Sequence, residues 1–224
     1  MPEGRQMTDV TGEIKAADRA VGDRPIAGGP GRSLILRRAY AAPVGDLWAA
    51  CTTADRLGRW LGPVSGDLRP GGSFRVEGQA SGRILRCEAP RLLVVTWEYG
   101  PDSVTEVELR LSPGEGGGAV LELCHTSPAE TVDEIVRRLG PVGPIGIGAE
   151  WDLALLALER LTAGEDFDRA AWRGTPRGRE FTVASYRAWG EEARAAWGLG
   201  EGEIAKTVDF LLRQAPPGEG EAAG

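Results

Sequence analysis

The chain is poor in the residues that most often announce a chemistry. It carries one histidine, two methionines and three cysteines, and only two of its 26 positive charges are lysines, Lys15 and Lys206. A lone histidine, His125, leaves no partner for a histidine-rich metal centre and at most one base for a nucleophilic dyad. No converging Cys/His/Asp/Glu spacing suggests zinc, and no G-x-S-x-G turn presents a nucleophile. Cys51, Cys87 and Cys124 are odd in number, far apart and set in apolar segments, which predicts buried free thiols rather than a disulfide framework. No Lys/Arg run exceeds the pairs Arg37-Arg38 and Arg137-Arg138, and a net charge of -7 opposes the basic face that nucleic acid requires. No apolar run approaches the ~20 residues that span a bilayer, and residues 1–32 lack a charged-then-apolar leader. The expectation is a cytoplasmic chain with neither membrane nor nucleic-acid partners. The glycine-rich stretches 114–118 and 140–148 match no phosphate-binding or dinucleotide loop. No cofactor and no metal are expected.

What is present is a strong pattern. With 42% hydrophobic and 26% charged residues over 224 positions, the chain suits one globular domain with extensions. Residues 1–32 lack periodicity and are expected to form a disordered arm. Residues 33–41 read as a strand with Leu34, Leu36, Arg38 and Tyr40 in one row. Val44, Leu47, Trp48 and Cys51 then fall at helical spacing after Pro43, and a second short helix over 54–61 stops at Gly62-Pro63.

From residue 64 to 126 the period changes to two. The inner rows are Phe74 and Val76; Leu85 and Cys87; Leu93, Val95, Trp97 and Tyr99; Thr105, Val107, Leu109 and Leu111; Ala119, Leu121, Leu123 and His125. The outer rows are charged, as in an antiparallel sheet wetted on one face. Turns at 70–72, 100–102 and 113–118 make it a meander. A short helix fits 129–139, while 140–146, with three glycines and two prolines, is expected to be irregular. A helix over 147–163 shows Trp151, Ala154, Leu155, Leu158 and Leu161 on one side and ends at Gly164. Beyond a polar connection, residues 180–196 and 203–213 read as two amphipathic helices, the first with Val183, Tyr186, Trp189, Ala193 and Trp197 on one face. Residues 214–224 are expected to be disordered. The helical pair must cover apolar surface, on its own domain near the cavity mouth in a monomer or on a second copy in a homodimer.

Few side chains could carry chemistry. His125 on the inner face could bond a ligand or act as an acid/base, or it could be a structural histidine. Arg38, on an inner row, must reach a carboxylate, a ligand acid or the cavity mouth. Glu150 reads as a first-turn acid of the long helix.

Five ordered blocks resemble a known family. They are Arg37 to Trp48; Arg59-Trp60-Leu61-Gly62-Pro63; Asp67 to Val76, with Pro70-Gly71-Gly72; Cys87 to Trp97; and Glu150-Trp151 followed by Leu155, Leu158 and Leu161. Read in order, they are similar to the Aha-type domain, shared with the activator of the heat-shock-protein-90 ATPase, of the START/SRPBCC superfamily. The resemblance covers about residues 33–163. It implies an α+β helix-grip fold: a curved antiparallel sheet of six to seven strands around a long helix, with a helical pair added at the C-terminus. The domain limits expected are 1–32, 33–164, 165–213 and 214–224. It also implies non-catalytic binding of a small apolar or amphipathic ligand between sheet and helix, by Arg38, Tyr40, Trp60, Phe74, Trp97, Tyr99, Leu109, Leu123, His125, Trp151 and Leu155. The alternatives are a protein-interaction module like the chaperone activators, with a stress-response role, or an enzyme similar to the superfamily's polyketide cyclases and aromatases. A polar-lined void above ~300 Å³ would favour binding or catalysis; a filled interior would favour the interaction module.

Overall fold

In the computed structural model, which describes residues 9–100 and 103–214, the inner rows join into one curved, unclosed antiparallel sheet. It has eight strands: β1 (Ala17–Ile26), β2 (Gly29–Tyr40), β3 (Val64–Gly66), β4 (Ser73–Val76), β5 (Ala80–Glu88), β6 (Leu92–Gly100), β7 (Ser103–Pro113) and β8 (Ala119–Pro128). Their order across the sheet is β1-β2-β8-β7-β6-β5-β4-β3. The meander therefore runs from β3 to β8, and β8 closes back on β2, with Leu36 opposite Leu123 and Leu34 opposite His125. The turn expected at 100–102 falls partly on residues outside those described.

The helices are α1 (Val10–Lys15), α2 (Val44–Thr52), α3 (Ala54–Trp60), α4 (Ala129–Leu139), α5 (Val142–Thr162), α6 (Arg169–Gly174), α7 (Pro176–Trp197) and α8 (Glu201–Gln214). The core lies on both sides of α5. Toward the sheet, Trp151, Ala154, Leu155 and Leu158 meet Leu36, Val107, Leu109, Leu121 and Leu123 in one cluster. Away from it, Leu153 and Leu156 pack on Val10, Ile14 and Phe181. α5 is thus buried on two sides, with Glu150 exposed and Glu159 and Arg160 half-buried. None of the helices described is long and apolar enough to cross a membrane.

Several expectations are corrected. The arm expected to be disordered is ordered from residue 10 onward, as α1, β1 and the start of β2, which raises the sheet to eight strands. The arm is held by the pairing of β1 with β2, by Val10 and Ile14 packed on α5 and α7, and by a buried ion pair. Asp152, in the middle of α5, takes both Nε (3.1 Å) and Nη2 (2.7 Å) of Arg19 on β1. Arg19 Nη1 donates to the carbonyls of Ile14 and Ala17, and Ser185 and Trp189 of α7 donate to Asp152 as well. Burial pushes the Asp152 carboxyl above its ordinary range, against Arg19 and these donors, which favour the charged form. One cluster thus ties the arm, the long helix and the C-terminal extension together. Residues 1–8 and 215–224 lie outside those described, and with them the remainder of the expected arm and tail.

The segment 140–146 is irregular only at Gly140 and Pro141, since α5 begins at Val142. Gly140, at φ +74°, breaks the chain between α4 and α5. Pro144 stands in the first turn, where an N–H has no helical partner to lose. Gly148 permits close packing: a Cβ there would lie 2.4 Å from the Trp189 ring. The connection after Gly164 also contains a helix, α6, and α7 begins at Pro176. The face that α7 buries carries Phe181, Ser185, Trp189 and Ala193, whereas Val183, Tyr186 and Trp197 are only half-buried.

On β5 the register shifts by one residue between Ile84 and Arg86, so Ile84 and Cys87 face inward and Leu85 is exposed. The cysteines are free, with Cys51 and Cys124 buried and Cys87 half-buried. The extension is no separate layer of surface: Trp189, Ala193, Ile204 and Val208 belong to the same core as Leu36 and Trp97.

Candidate functional site

The fold leaves space at one end of the sheet–helix interface. There α2 and α3 cover the strands, and Trp60, ending α3, donates its indole N–H to the Ala50 carbonyl (2.9 Å), fixing the two helices together. Phe74 on β4, Trp97 on β6 and Trp151 on α5 form a ring ladder, with centroids 6.2 Å apart for Phe74–Trp97 and 5.4 Å for Trp97–Trp151. Behind them is an apolar cavity of about 90 Å³, walled by Cys51, Leu57, Trp60, Ile84, Val107 and Leu109 among others. Burial pushes the Cys51 thiol up to about 12, so it faces this cavity as a protonated, unreactive group.

The cavity shares Leu61, Trp97 and Trp151 with a wider open groove of about 540 Å³. The groove runs between the β4–β5 turn (Gly78, Gln79), the first half of α5 (Val142 to Ala154) and the extension (Arg169, Tyr186, Leu211). Its polar groups are Gln79, Tyr99, Glu150, Arg169 and Tyr186. Glu150 is paired with Arg173 at 2.6 Å. Because α5 starts eight residues earlier, Glu150 is a mid-helix residue on the groove wall and not a first-turn acid.

His125 is spoken for. Trp151 Nε1–H donates to Nδ1 (2.9 Å), so the ring proton sits on Nε2, which donates to Thr105 Oγ1 (2.8 Å). Thr105 in turn donates to the Trp97 carbonyl (2.8 Å). Burial pushes the His125 pKa down to about 4, so the imidazole is neutral at pH 7. With both nitrogens engaged it orients Trp151 and has no free position for acid/base work. Tyr99, at the exposed end of β6, stacks on it at 6.2 Å.

The predicted set therefore divides. Trp60, Phe74, Trp97, Leu109 and Trp151 line the cavity, and Tyr99 lines the groove. The other five line neither. Arg38 is buried and paired with Glu159, Tyr40 donates to the Leu155 carbonyl (3.2 Å), and Leu123 and Leu155 are fully packed core. His125, with Tyr99, borders a further space of about 170 Å³ under α4, which has Tyr99, Gly143 and Ile147 in common with the groove. Strand alternation tells which face a residue points to, but not whether the helix has filled the space in front of it. The residues missed include Cys51, Leu57, Leu61 and Ile84 on the cavity, and Gln79, Arg169, Tyr186 and Leu211 on the groove. The last three stand on the extension, whose position over the groove no sequence pattern conveys. No cluster among the described residues could hold a metal ion.

Comparisons with known proteins agree with this architecture. Residues 41–139 match the family described as Activator of Hsp90 ATPase homolog 1-like protein. The crystal structure of CalU16 from Micromonospora echinospora is 36% identical, with a TM-score of 0.64, over 80% of this chain and 99% of that one. The solution structure of CalU16 is 34% identical, with a TM-score of 0.65, over 87% of this chain and 99% of that one. No curated protein gives a significant match. With that identity over nearly the whole of CalU16 and the family match within it, the chain belongs to the Activator of Hsp90 ATPase homolog 1-like family, on a helix-grip fold.

Proposed function

We propose that the protein binds a small apolar or amphipathic ligand, without transforming it, in the groove and cavity between the sheet and α5. The observation that carries this reading is an apolar inner cavity of about 90 Å³ lying beside an open groove of about 540 Å³, the two lined in common by Leu61, Trp97 and Trp151. An apolar interior with a few polar groups at its entrance is the ordinary constitution of a small-molecule site. A ligand would leave its polar end in the groove and press its apolar part against the two indoles. His125 has both nitrogens engaged, Cys51 is protonated, and Glu150 on the groove wall is held in an ion pair with Arg173, which is why binding is preferred to a cyclase-like reaction.

Native mass spectrometry of the protein from its own host, looking for a retained small molecule, tests the proposal together with Leu109→Trp, which fills the inner cavity. The proposal expects a retained or added apolar ligand that quenches tryptophan fluorescence in the parent and is lost in the variant. Undiminished affinity in a folded Leu109→Trp protein would remove the cavity from the account.

A second reading, a contact surface for another protein, draws on Tyr99, Val104, Ile135 and Leu139, large apolar side chains left exposed on β6, β7 and α4. It predicts that charged substitutions at Ile135 and Leu139 abolish a partner contact without touching ligand binding. Co-sedimentation with extract from the host, with and without those substitutions, tests this.

A further inference from the structure

The groove holds one cation without a counter-charge of its own. Arg169 stands in the first turn of α6 and lines both the groove and an adjoining open pocket of about 620 Å³ on the α3 side. Its Nη1 donates to the Trp60 carbonyl at 3.0 Å. No carboxylate among the described residues is within ion-pairing distance of it. Glu150, the acid whose charge acts on it, is committed to Arg173 at 2.6 Å. Of the trio Arg169, Arg173 and Glu150, the net positive charge thus resides on Arg169. Desolvation lowers the Arg169 pKa, with Arg173 adding to the effect and Glu150 opposing it. A guanidinium stays charged under such a shift and gains from an added anion instead. The other arginines around the α5–α6 junction do not share this state: Arg59 is paired with Asp166, and Arg160 with Glu13 and Glu165.

Its position suits a polar headgroup. The same groove is lined by Trp97 and Trp151, which also line the apolar cavity, while Gln79 and Tyr186 offer further hydrogen bonds. Planar guanidinium geometry matches a carboxylate with two parallel donors. We infer that Arg169 receives the carboxylate of an amphipathic acid whose apolar body lies against Trp97 and Trp151. This rests on the groove being the ligand site, and it adds that the ligand is anionic and that the extension, through α6, selects it.

The test uses a matched pair of probes, decanoate and 1-decanol, titrated into the full-length protein and Arg169→Gln by tryptophan fluorescence. The quantity read is the ratio of the two affinities, which partial unfolding leaves unaltered. Loss of one charge-assisted contact should lower the acid's affinity about tenfold to hundredfold and leave the alcohol's nearly unchanged. Arg169→Lys, which keeps the charge, should retain part of the acid preference, and that preference should shrink with added salt in the parent. An unchanged ratio in Arg169→Gln, or a parent that binds the alcohol as tightly as the acid, overturns the assignment of Arg169 while leaving the groove as a ligand site. Failure of both probes to bind the parent overturns the groove reading, and the assignment with it.

Discussion

The packing of the extension on α5 makes a prediction in which two substitutions on one helix have opposite signs. Replacing a helical glycine by alanine ordinarily stabilises by ~1 kcal/mol, through lower chain entropy in the unfolded state and better helix propensity. Gly143 faces open space, with nothing within 4 Å of an added Cβ, so Gly143→Ala should show a gain of that kind. At Gly148 the new methyl would lie 2.4, 2.5 and 2.7 Å from three atoms of the Trp189 ring. To reach ordinary contact the ring must retreat by about an ångström from a fully buried site. That movement also strains its 3.0 Å hydrogen bond to the buried Asp152 carboxylate. Overpacking of this sort costs ~1–3 kcal/mol and loss of a bond to a charged group ~1.5–3 kcal/mol. Set against the propensity gain, Gly148→Ala should lose ~2–4 kcal/mol, read from urea unfolding midpoints at constant slope. A Gly148→Ala protein as stable as Gly143→Ala would mean that Trp189 does not pack against α5, and the shared core of sheet, α5 and extension would fall with it.

Other predictions follow from the same contacts. His125 has its pKa pushed down to about 4 from 6.5, so below pH 6.5 the unfolded chain takes up a proton that the folded chain refuses. Its contribution is whole above pH 6.5 and fades by ~3 kcal/mol as the pH falls through 4; the parent should lose that much more than His125→Gln across this window in urea titrations, and equal pH slopes would refute it. Arg19→Leu strands the buried Asp152 carboxylate and should destabilise by ~3–5 kcal/mol in calorimetry, whereas a mobile N-terminal arm would make it silent. Trp97→Ala should cost ~3–5 kcal/mol by removing the centre of the ring ladder; a loss under ~1 kcal/mol would place Trp97 on the wet face of the sheet. Truncation after Gly164 removes Phe181, Trp189, Ile204 and Val208 from the shared core, so it should lower the melting temperature sharply and raise dye binding; an unchanged melting temperature would make the extension an independent appendage.

Much of the fold was legible because a sheet with one buried face and a covering helix writes its geometry as period two and period 3.6. The rows Thr105 to Leu111 and Ala119 to His125, and the α5 stripe, face as their spacing says. Illegible parts have physical reasons. Arg19 looks like one more polar residue in an unpatterned arm until Asp152, 133 positions away, provides its partner. The glycines of 140–148 look like breakers, and at Gly148 the missing side chain is instead filled by an indole. The bulge at Leu85 shifts one row by a residue, which alternation alone does not reveal. For the site, the aromatic walls Trp60, Phe74, Trp97 and Trp151 could be read from facing, but the groove's far wall could not. It comes from α6, α7 and α8, whose place depends on tertiary packing.

The central claim is that ligand lies against Trp97 and Trp151, which line both the cavity and the groove. Indole N–H signals of the uniformly ¹⁵N-labelled protein test it most directly, because the tryptophans mark different places. Trp60, Trp97 and Trp151 border the cavity, Trp197 borders the space beside His125 under α4, and Trp189 lies against Gly148 of α5. On titration with decanoate the account predicts progressive shifts of Trp97 and Trp151, a smaller shift of Trp60, and stationary Trp189 and Trp197 signals. Movement of Trp197 with Trp97 and Trp151 unmoved would contradict it.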